Sequence, residues 1–419
     1  MGYREQIPID HGFDHSVALL LEGYQFISNR RHRFQSDIFE TRLLGGKKAI
    51  CIAGADAAMV FYDEEKCTRH QVAPKRIRQT IFGEKSVQTL DKQPHEHRKQ
   101  LFMDVMNPKQ MQQLEKIVEK QWKVFLKQWE QKKTIILFEE VQKLLTISAC
   151  RWVGVPLKAK ELTLRTNQLV SLFDSAAAIG IRHWQGRRAR NQLNLWIEQM
   201  VEQVRKGKIQ PNEESPLYRF VWHRDEQGKL LPPRVVAVEI INLLRPIVAI
   251  SVYIAFSALA IHEYPDEKGK LMEKNDQYLH MFVQEVRRFY PFFPFVVAKV
   301  REDFLWKGHD FRKGNLVLLD LYGTNHHPSL WKKPNEFNPE RFKNWEGGLF
   351  DLIPQGGGNF VKNHRCPGEW LTILVMKISM DMLVNYMEYD VLKQNLKYSM
   401  IRMPTFPKSG FALSNVRSK

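Results

Sequence analysis

The chain has 419 residues, 43% of them hydrophobic and 11% aromatic, which is enough to bury a large core and excludes a disordered chain. Its 63 basic and 46 acidic side chains leave a formal charge of +17; with no nucleic-acid motif beside it, this excess reads as a solvated basic face, and no nucleic-acid partner is expected. Four cysteines (Cys51, Cys67, Cys150 and Cys366) form neither a zinc spacing nor a disulfide framework, and they fit a reducing compartment.

From the N-terminus, MGYREQIPIDHGF is polar from its third residue and carries no secretory signal pattern, so a soluble, cytoplasmic protein is expected. A short β-favouring run follows at residues 49–52. Met111, Leu114, Ile117, Val118, Trp122, Phe125 and Trp129 then recur at helical spacing, and similar stripes occupy residues 144–153, 162–172 and 193–204. GKIQPNEES after Lys206 and YPDEKGK after Glu263 read as surface loops. Between them lies an apolar helical pattern over residues 235–261. Its uncharged part, 247–261, is shorter than the roughly 20 residues of a spanning helix, so a buried core helix and no transmembrane segment are expected. A second β-favouring run lies at 316–319, and His326-His327 reads as a loop or surface pair, since adjacent side chains diverge. The class is mainly α with small β-sheets, in one domain over 1–419.

Chemistry concentrates in Gln355-Gly-Gly-Gly-Asn-Phe-Val-Lys-Asn-His-Arg-Cys366-Pro-Gly-Glu-Trp370, where a cysteine stands between a glycine-rich loop and an apolar helical stretch at 371–383. Helix N-terminal amides, with Arg365 and His364 alongside, would favour a thiolate there. A buried structural thiol is the other reading of Cys366 alone, and it is the reading for the other three cysteines. Upstream, Glu285 and Arg288 lie three apart on a helical stretch, and Pro339-Glu-Arg341-Phe342 follows.

Glu-x-x-Arg, the later arginine and the cysteine loop, in this order, resemble the haem-thiolate cytochrome P450 superfamily. The resemblance implies the cytochrome P450 fold, a haem b whose iron is ligated by Cys366, and a buried network of Glu285, Arg288 and Arg341. Asn359 and Lys362 depart from the superfamily's loop pattern. Gln355-Gly-Gly-Gly358 with His364-Arg-Cys-Pro-Gly-Glu-Trp370 is instead similar to the bacterial fatty-acid peroxygenase branch, which uses hydrogen peroxide directly, although Asn363 stands where that branch has Gly. Ala73-Pro-Lys-Arg76, Ile81-Phe-Gly83, His97-Arg-Lys99, Arg182-His-Trp-Gln-Gly-Arg-Arg-Ala-Arg190 and Pro407-Lys-Ser-Gly-Phe411 extend the likeness over nearly the whole chain. It also points to Arg69, His95 and Lys99 as donors to the haem propionates.

Arg245-Pro246 lies inside the apolar helical pattern, where a guanidinium needs an anion and Pro246 should kink the helix against the carbonyl of Asn242. Read alone, Arg245 either pairs with a buried acid or caps that carbonyl. The resemblance implies that Arg245-Pro246 holds the carboxylate of a long-chain fatty acid. That carboxylate then serves as general acid-base for splitting peroxide, so no reductase is obligatory. It places Phe82 and Gln88 near the haem edge and substrate, and Phe292, in the aromatic run 289–295, in the channel lining. Gln88 stands where some members carry His and form terminal alkenes; hydroxylation at C2 or C3, with minor decarboxylation, is therefore expected. The alternatives are a reductase-dependent monooxygenase, which the missing acid-alcohol pair after Arg245 opposes, and a non-catalytic haem- or lipid-binding protein.

Overall fold

The longest apolar pattern in the sequence becomes the longest helix, Pro233–Glu263, which opens with proline at its first turn, where no amide partner is lost. Nearly every side chain from Val235 to Ile261 is buried, because helices Leu137–Val153, Ile181–Arg205 and Glu369–Asp381 pack around it. By length and composition this helix resembles a membrane span, but 94% of its apolar window is covered by protein, as expected of a core helix. It runs unbroken through Pro246: the proline removes one amide, and the packing on either side keeps the flanking turns helical. This computed structural model describes residues 6–176 and 178–419.

The four helical stripes of the middle chain form helices Pro108–Trp129, Leu137–Val153, Leu162–Asp174 and Ile181–Arg205. Asn107 caps the first of these by accepting from the Gln110 amide at 3.1 Å, with Pro108 just inside. Trp122 and Trp129 from the same helix, both fully buried, meet edge to face with centroids 5.6 Å apart.

The two β-favouring runs, far apart in sequence, pair with each other. Strand Lys47–Ile52 runs parallel to Leu316–Asp320, with Ile50 opposite Val317, inside a five-stranded sheet. Its strand order is Ile38–Leu43, Lys47–Ile52, Leu316–Asp320, Phe295–Val300, Cys67–Thr68. Cysteines 51, 67 and 150 are buried free thiols, as expected.

Two expectations are corrected. YPDEKGK is not a loop: Pro265–Met272 is helical, with proline at its start, Asp266 and Glu267 in the first turn and Lys270 in the last, charges that suit the helix dipole. The 326–327 pair does lie in a loop after helix Leu321–Asn325, but not on the surface. His327 is buried with Nε2 2.9 Å from Asp37, while His326 Nδ1 lies 3.0 Å from the Tyr322 carbonyl, so the rings do diverge.

Glu285 and Arg288, both fully buried on helix Asp276–Phe289, meet at 2.6 and 2.9 Å. Arg341 reaches the same carboxylate at 3.1 Å, and the Asn338 amide donates to it at 2.7 Å. Arg288 also donates to the Asn325 carbonyl at 2.9 Å, and Asn325 accepts from the Ile353 amide at 2.9 Å, which ties the network to the start of the cysteine loop. Removing the carboxylate would strand two guanidinium groups. Glu285→Ala should therefore lower stability by about 3–5 kcal/mol in urea unfolding, and a loss under about 1 kcal/mol would show that the network carries no such weight.

Candidate active site

The cysteine loop is folded by its own polar side chains. The Cys366 amide donates to the Gln355 carbonyl at 3.1 Å, and the Gly358 amide to the Leu349 carbonyl at 2.8 Å. Gly356 has φ +95°, and a Cβ there would lie 3.0 Å from the Tyr62 hydroxyl, so a bare glycine lets the loop close on its neighbour. Asn363, where the branch has Gly, has no positive φ, and its amide bridges the Asn359 N–H at 2.8 Å and the Tyr62 carbonyl at 3.0 Å. Asn359 in turn accepts from the Val361 and Lys362 amides at 2.8 and 3.1 Å. The departures from the common pattern thus supply the loop's own hydrogen bonds.

Cys366 lies just before helix Glu369–Asp381, and the Gly368 amide points at its sulfur, as the sequence led us to expect. The expected role of Arg365 and His364 does not hold. Arg365 is engaged by Glu369 at 2.7 Å, and burial pushes His364 down to about 4, leaving it neutral. The charges that favour the thiolate come from Lys99 and Arg287, but burial and Glu369 outweigh them and push the thiol up. The protein alone would leave this sulfur protonated, and a coordinated cation is what would ionise it.

Arg69, His95 and Lys99 do come together beside the loop. His95 stacks on His364 with centroids 3.9 Å apart; burial, aided by the nearby charges, pushes it down to about 2. Lys99, one turn further along helix Lys92–Asp104, donates to the carbonyls of Asn363 and, at 2.8 Å, Arg365. Burial pushes the Lys99 ammonium down to about 8. The Arg69 guanidinium lies over Phe61 at 4.6 Å, and its Nη2 is buried without an acceptor, as is His95 Nδ1. Two buried nitrogens left without partners suit an anionic ligand edge, so the donor set fits a haem with its propionates in this corner.

Arg245 extends from the central helix into the same interior. It is 7% exposed, its Nε has no partner, and among the described residues no carboxylate pairs with it. Burial pushes it down to about 10, and the Cys366 charge opposes that shift, so cation and sulfur lie within each other's field. At neutral pH it remains charged. Pro246, half-buried, follows it in the helix.

Gln88 and Phe82 are both tied to this helix through Asn242, one turn before Arg245. Its amide donates to the Phe82 carbonyl at 3.0 Å and to Gln88 Oε1 at 3.3 Å. Arg190, 1% exposed, donates to the same Phe82 carbonyl at 3.2 Å. Gly83, at φ +85°, leaves room for that guanidinium, since a Cβ there would sit 2.0 Å from Arg190 Nη2. Phe292 stacks on Tyr253, two turns beyond Arg245, with centroids 4.3 Å apart. Sequence reasoning missed Asn242 and Glu239. The signal was present: Glu239, Asn242 and Arg245 recur every three residues as the polar exceptions of an apolar helix.

A cytochrome P450 family profile matches residues 272–412. Among curated proteins the chain is 38% identical over 97 residues to rhazimal synthase of Alstonia scholaris (22% of this chain, 19% of that protein). It is 31% identical over 140 residues to (+)-menthofuran synthase of Mentha piperita (31% of this chain, 27% of that protein). These alignments span about a quarter of such relatives. Solved structures match throughout: cytochrome P450EX alpha (CYP152N1) with myristic acid at TM-score 0.96 and 46% identity, covering 99% of this chain and 100% of that one. A cytochrome P450 OleT complex with arachidonic acid matches at TM-score 0.97 and 34% identity, covering 99% of each. Cytochrome P450SP alpha (CYP152B1) with (R)-ibuprophen matches at 0.95 and 43%, covering 97% of this chain and 99% of that one. The chain belongs to the cytochrome P450 family, whose cofactor is a haem with a cysteine thiolate on its iron. Within that family the chain matches over nearly its whole length structures named CYP152N1 and CYP152B1.

Cys366→Ser should keep the helical circular-dichroism signal and lose the thiolate signature of the ferrous carbon-monoxide spectrum. A serine variant that retains that signature would remove Cys366 as the ligand.

Proposed function

We propose that this protein is a peroxide-driven hydroxylase of long-chain fatty acids, one haem-thiolate domain over 1–419 acting in the cytoplasm, with haem b on Cys366 and the substrate carboxylate on Arg245. The observation that carries the site assignment is Arg245 itself, a charged, buried guanidinium that meets no carboxylate among the described residues and lies within the field of the cysteine sulfur. Carboxylate is the natural partner, because guanidinium binds it through two parallel hydrogen bonds. The ligands named for the neighbouring structures, myristic acid, arachidonic acid and (R)-ibuprophen, are all carboxylic acids.

Bound haem would supply the oxidation, inserting one oxygen of hydrogen peroxide into a C–H bond. The protein supplies position and proton control. Arg245 would keep the bound carboxylate ionised and in place, so that this group could accept a proton from hydrogen peroxide and give it back. From Arg245 to Ser257 the central helix contains no Asp or Glu to do this. Pinning the acid end also fixes C2 and C3 near the sulfur-bound centre, so hydroxylation beside the carboxyl follows from geometry. Phe82 and Phe292 supply apolar lining for the acyl chain. Gln88, held by Asn242, presents an amide that does not titrate, which favours hydroxylation over loss of the carboxyl group.

Purified holoprotein with hydrogen peroxide and no reductase should convert saturated long-chain acids to C2- and C3-hydroxy acids, identified by mass spectrometry. Strict dependence on NADPH and a reductase would favour an ordinary monooxygenase instead. Arg245→Ala should retain haem yet lose about 10²–10⁴-fold in peroxide-driven turnover, the scale of one removed acid-base group. Full activity in that variant would end the substrate-assisted mechanism.

A further inference from the structure

A side chain that the proposed function does not use reaches the Cys366 sulfur. Gln355 Nε2 lies 3.8 Å from Cys366 Sγ, eleven residues away in sequence, within range of an N–H···S contact. The same nitrogen is 3.1 Å from Thr372 Oγ1, and an amide NH₂ has a hydrogen for each.

The amide's orientation is fixed by chemistry. Gln355 Oε1 accepts from Arg287 Nη2 at 3.1 Å, and a guanidinium has only donors, so reversing the amide would set N–H against N–H. Arg287 cannot swing away: it is fully buried, bonded to Glu369 at 2.5 Å and to Gln284. The Gln355 backbone carbonyl meanwhile accepts from the Cys366 amide at 3.1 Å, so one residue grips the ligand from backbone and side chain together. A hydrogen bond to sulfur strengthens as the sulfur gains negative charge, and such bonds withdraw density that would otherwise pass to the metal.

We propose that Gln355 is a positioning residue that tunes the iron ligand: its side-chain amide, aimed by Arg287, donates to the Cys366 sulfur and limits the electron density delivered to iron. This rests on the haem-thiolate reading above, and it adds an electronic control set by the side chains of Gln355 and Arg287 to the contact made by the Gly368 amide.

Two variants test it on the haem-loaded protein. Gln355→Met keeps length and removes the donor. Gln355→Glu keeps shape, replaces the donor by an acceptor and offers Arg287 a carboxylate partner, so it holds the loop even if the methionine variant loads haem poorly. The readouts are the ferric/ferrous midpoint potential by spectroelectrochemistry and the iron–sulfur stretch by resonance Raman. Relative to wild type, both variants should show a more negative potential and a stretch moved to higher frequency, the signs of a more strongly donating sulfur. Unchanged potential and stretch in the haem-loaded variants would overturn the role of Gln355 while leaving the function intact. A wild-type holoprotein without a thiolate signature would overturn the haem-thiolate reading and this inference with it.

Discussion

A guanidinium enclosed by hydrocarbon must find an anion, and Arg245 finds none among the described residues. Leaving a cation in that state is costly, and a fold whose central helix presents one toward a cysteine sulfur is organised around a ligand that brings the missing charge. The site is consequently incomplete by construction. On the proposed reading, the cofactor would supply the cation that ionises Cys366, and the substrate would supply the anion that neutralises Arg245. Each completes a group that burial otherwise penalises, since burial pushes the cysteine thiol up and the arginine down.

The scaffold keeps the two halves apart and rigid. Glu285, Arg288 and Arg341 bind the segment after residue 325 to helix Asp276–Phe289. From the same helix Arg287 reaches the first turn of the cysteine helix through Glu369, which Arg287 and Arg365 hold low against the upward push of burial. Glu239 accepts from the Val87 amide at 2.8 Å and pairs with Arg98 at 3.0 Å, so the segment bearing Phe82 and Gln88 is bolted to the central helix one turn from Asn242. The polar stripe Glu239–Asn242–Arg245 therefore has a division of labour. Its first two members hold the segment bearing Phe82 and Gln88, and the third has no carboxylate partner among the described residues.

Much of this was legible from residue order. The apolar run around Arg245, the glycine-rich loop before Cys366 and the Glu285–Arg288 spacing each follow from a local rule, and each appears in place. What escaped depends on contacts across the fold. Residues 264–270 looked like a loop because Pro and Gly dominated the reading, yet Pro265 starts a helix as readily as it ends one. His326-His327 read as a loop or surface pair, and the pair does follow the helix at 321–325, but Asp37 from 290 positions away satisfies His327 in the interior. The same limit hid Gln355: nothing in its sequence neighbourhood says that Arg287, 68 residues earlier, will turn its amide toward the sulfur. Arg365 and His364 misled for the opposite reason, since adjacency in sequence suggested a field at the sulfur that Glu369 and burial remove.

The carboxylate's part in the chemistry is open to a direct measurement. Peroxide-driven turnover of a saturated fatty acid is compared, without reductase, with that of the primary alcohol of equal chain length, which has the same acyl chain and cannot pair with Arg245 as an anion. The account predicts that the alcohol is oxidised at least about 10²-fold more slowly than the acid. Equal rates would contradict it, because the proton would then be handled without the group that Arg245 is there to hold.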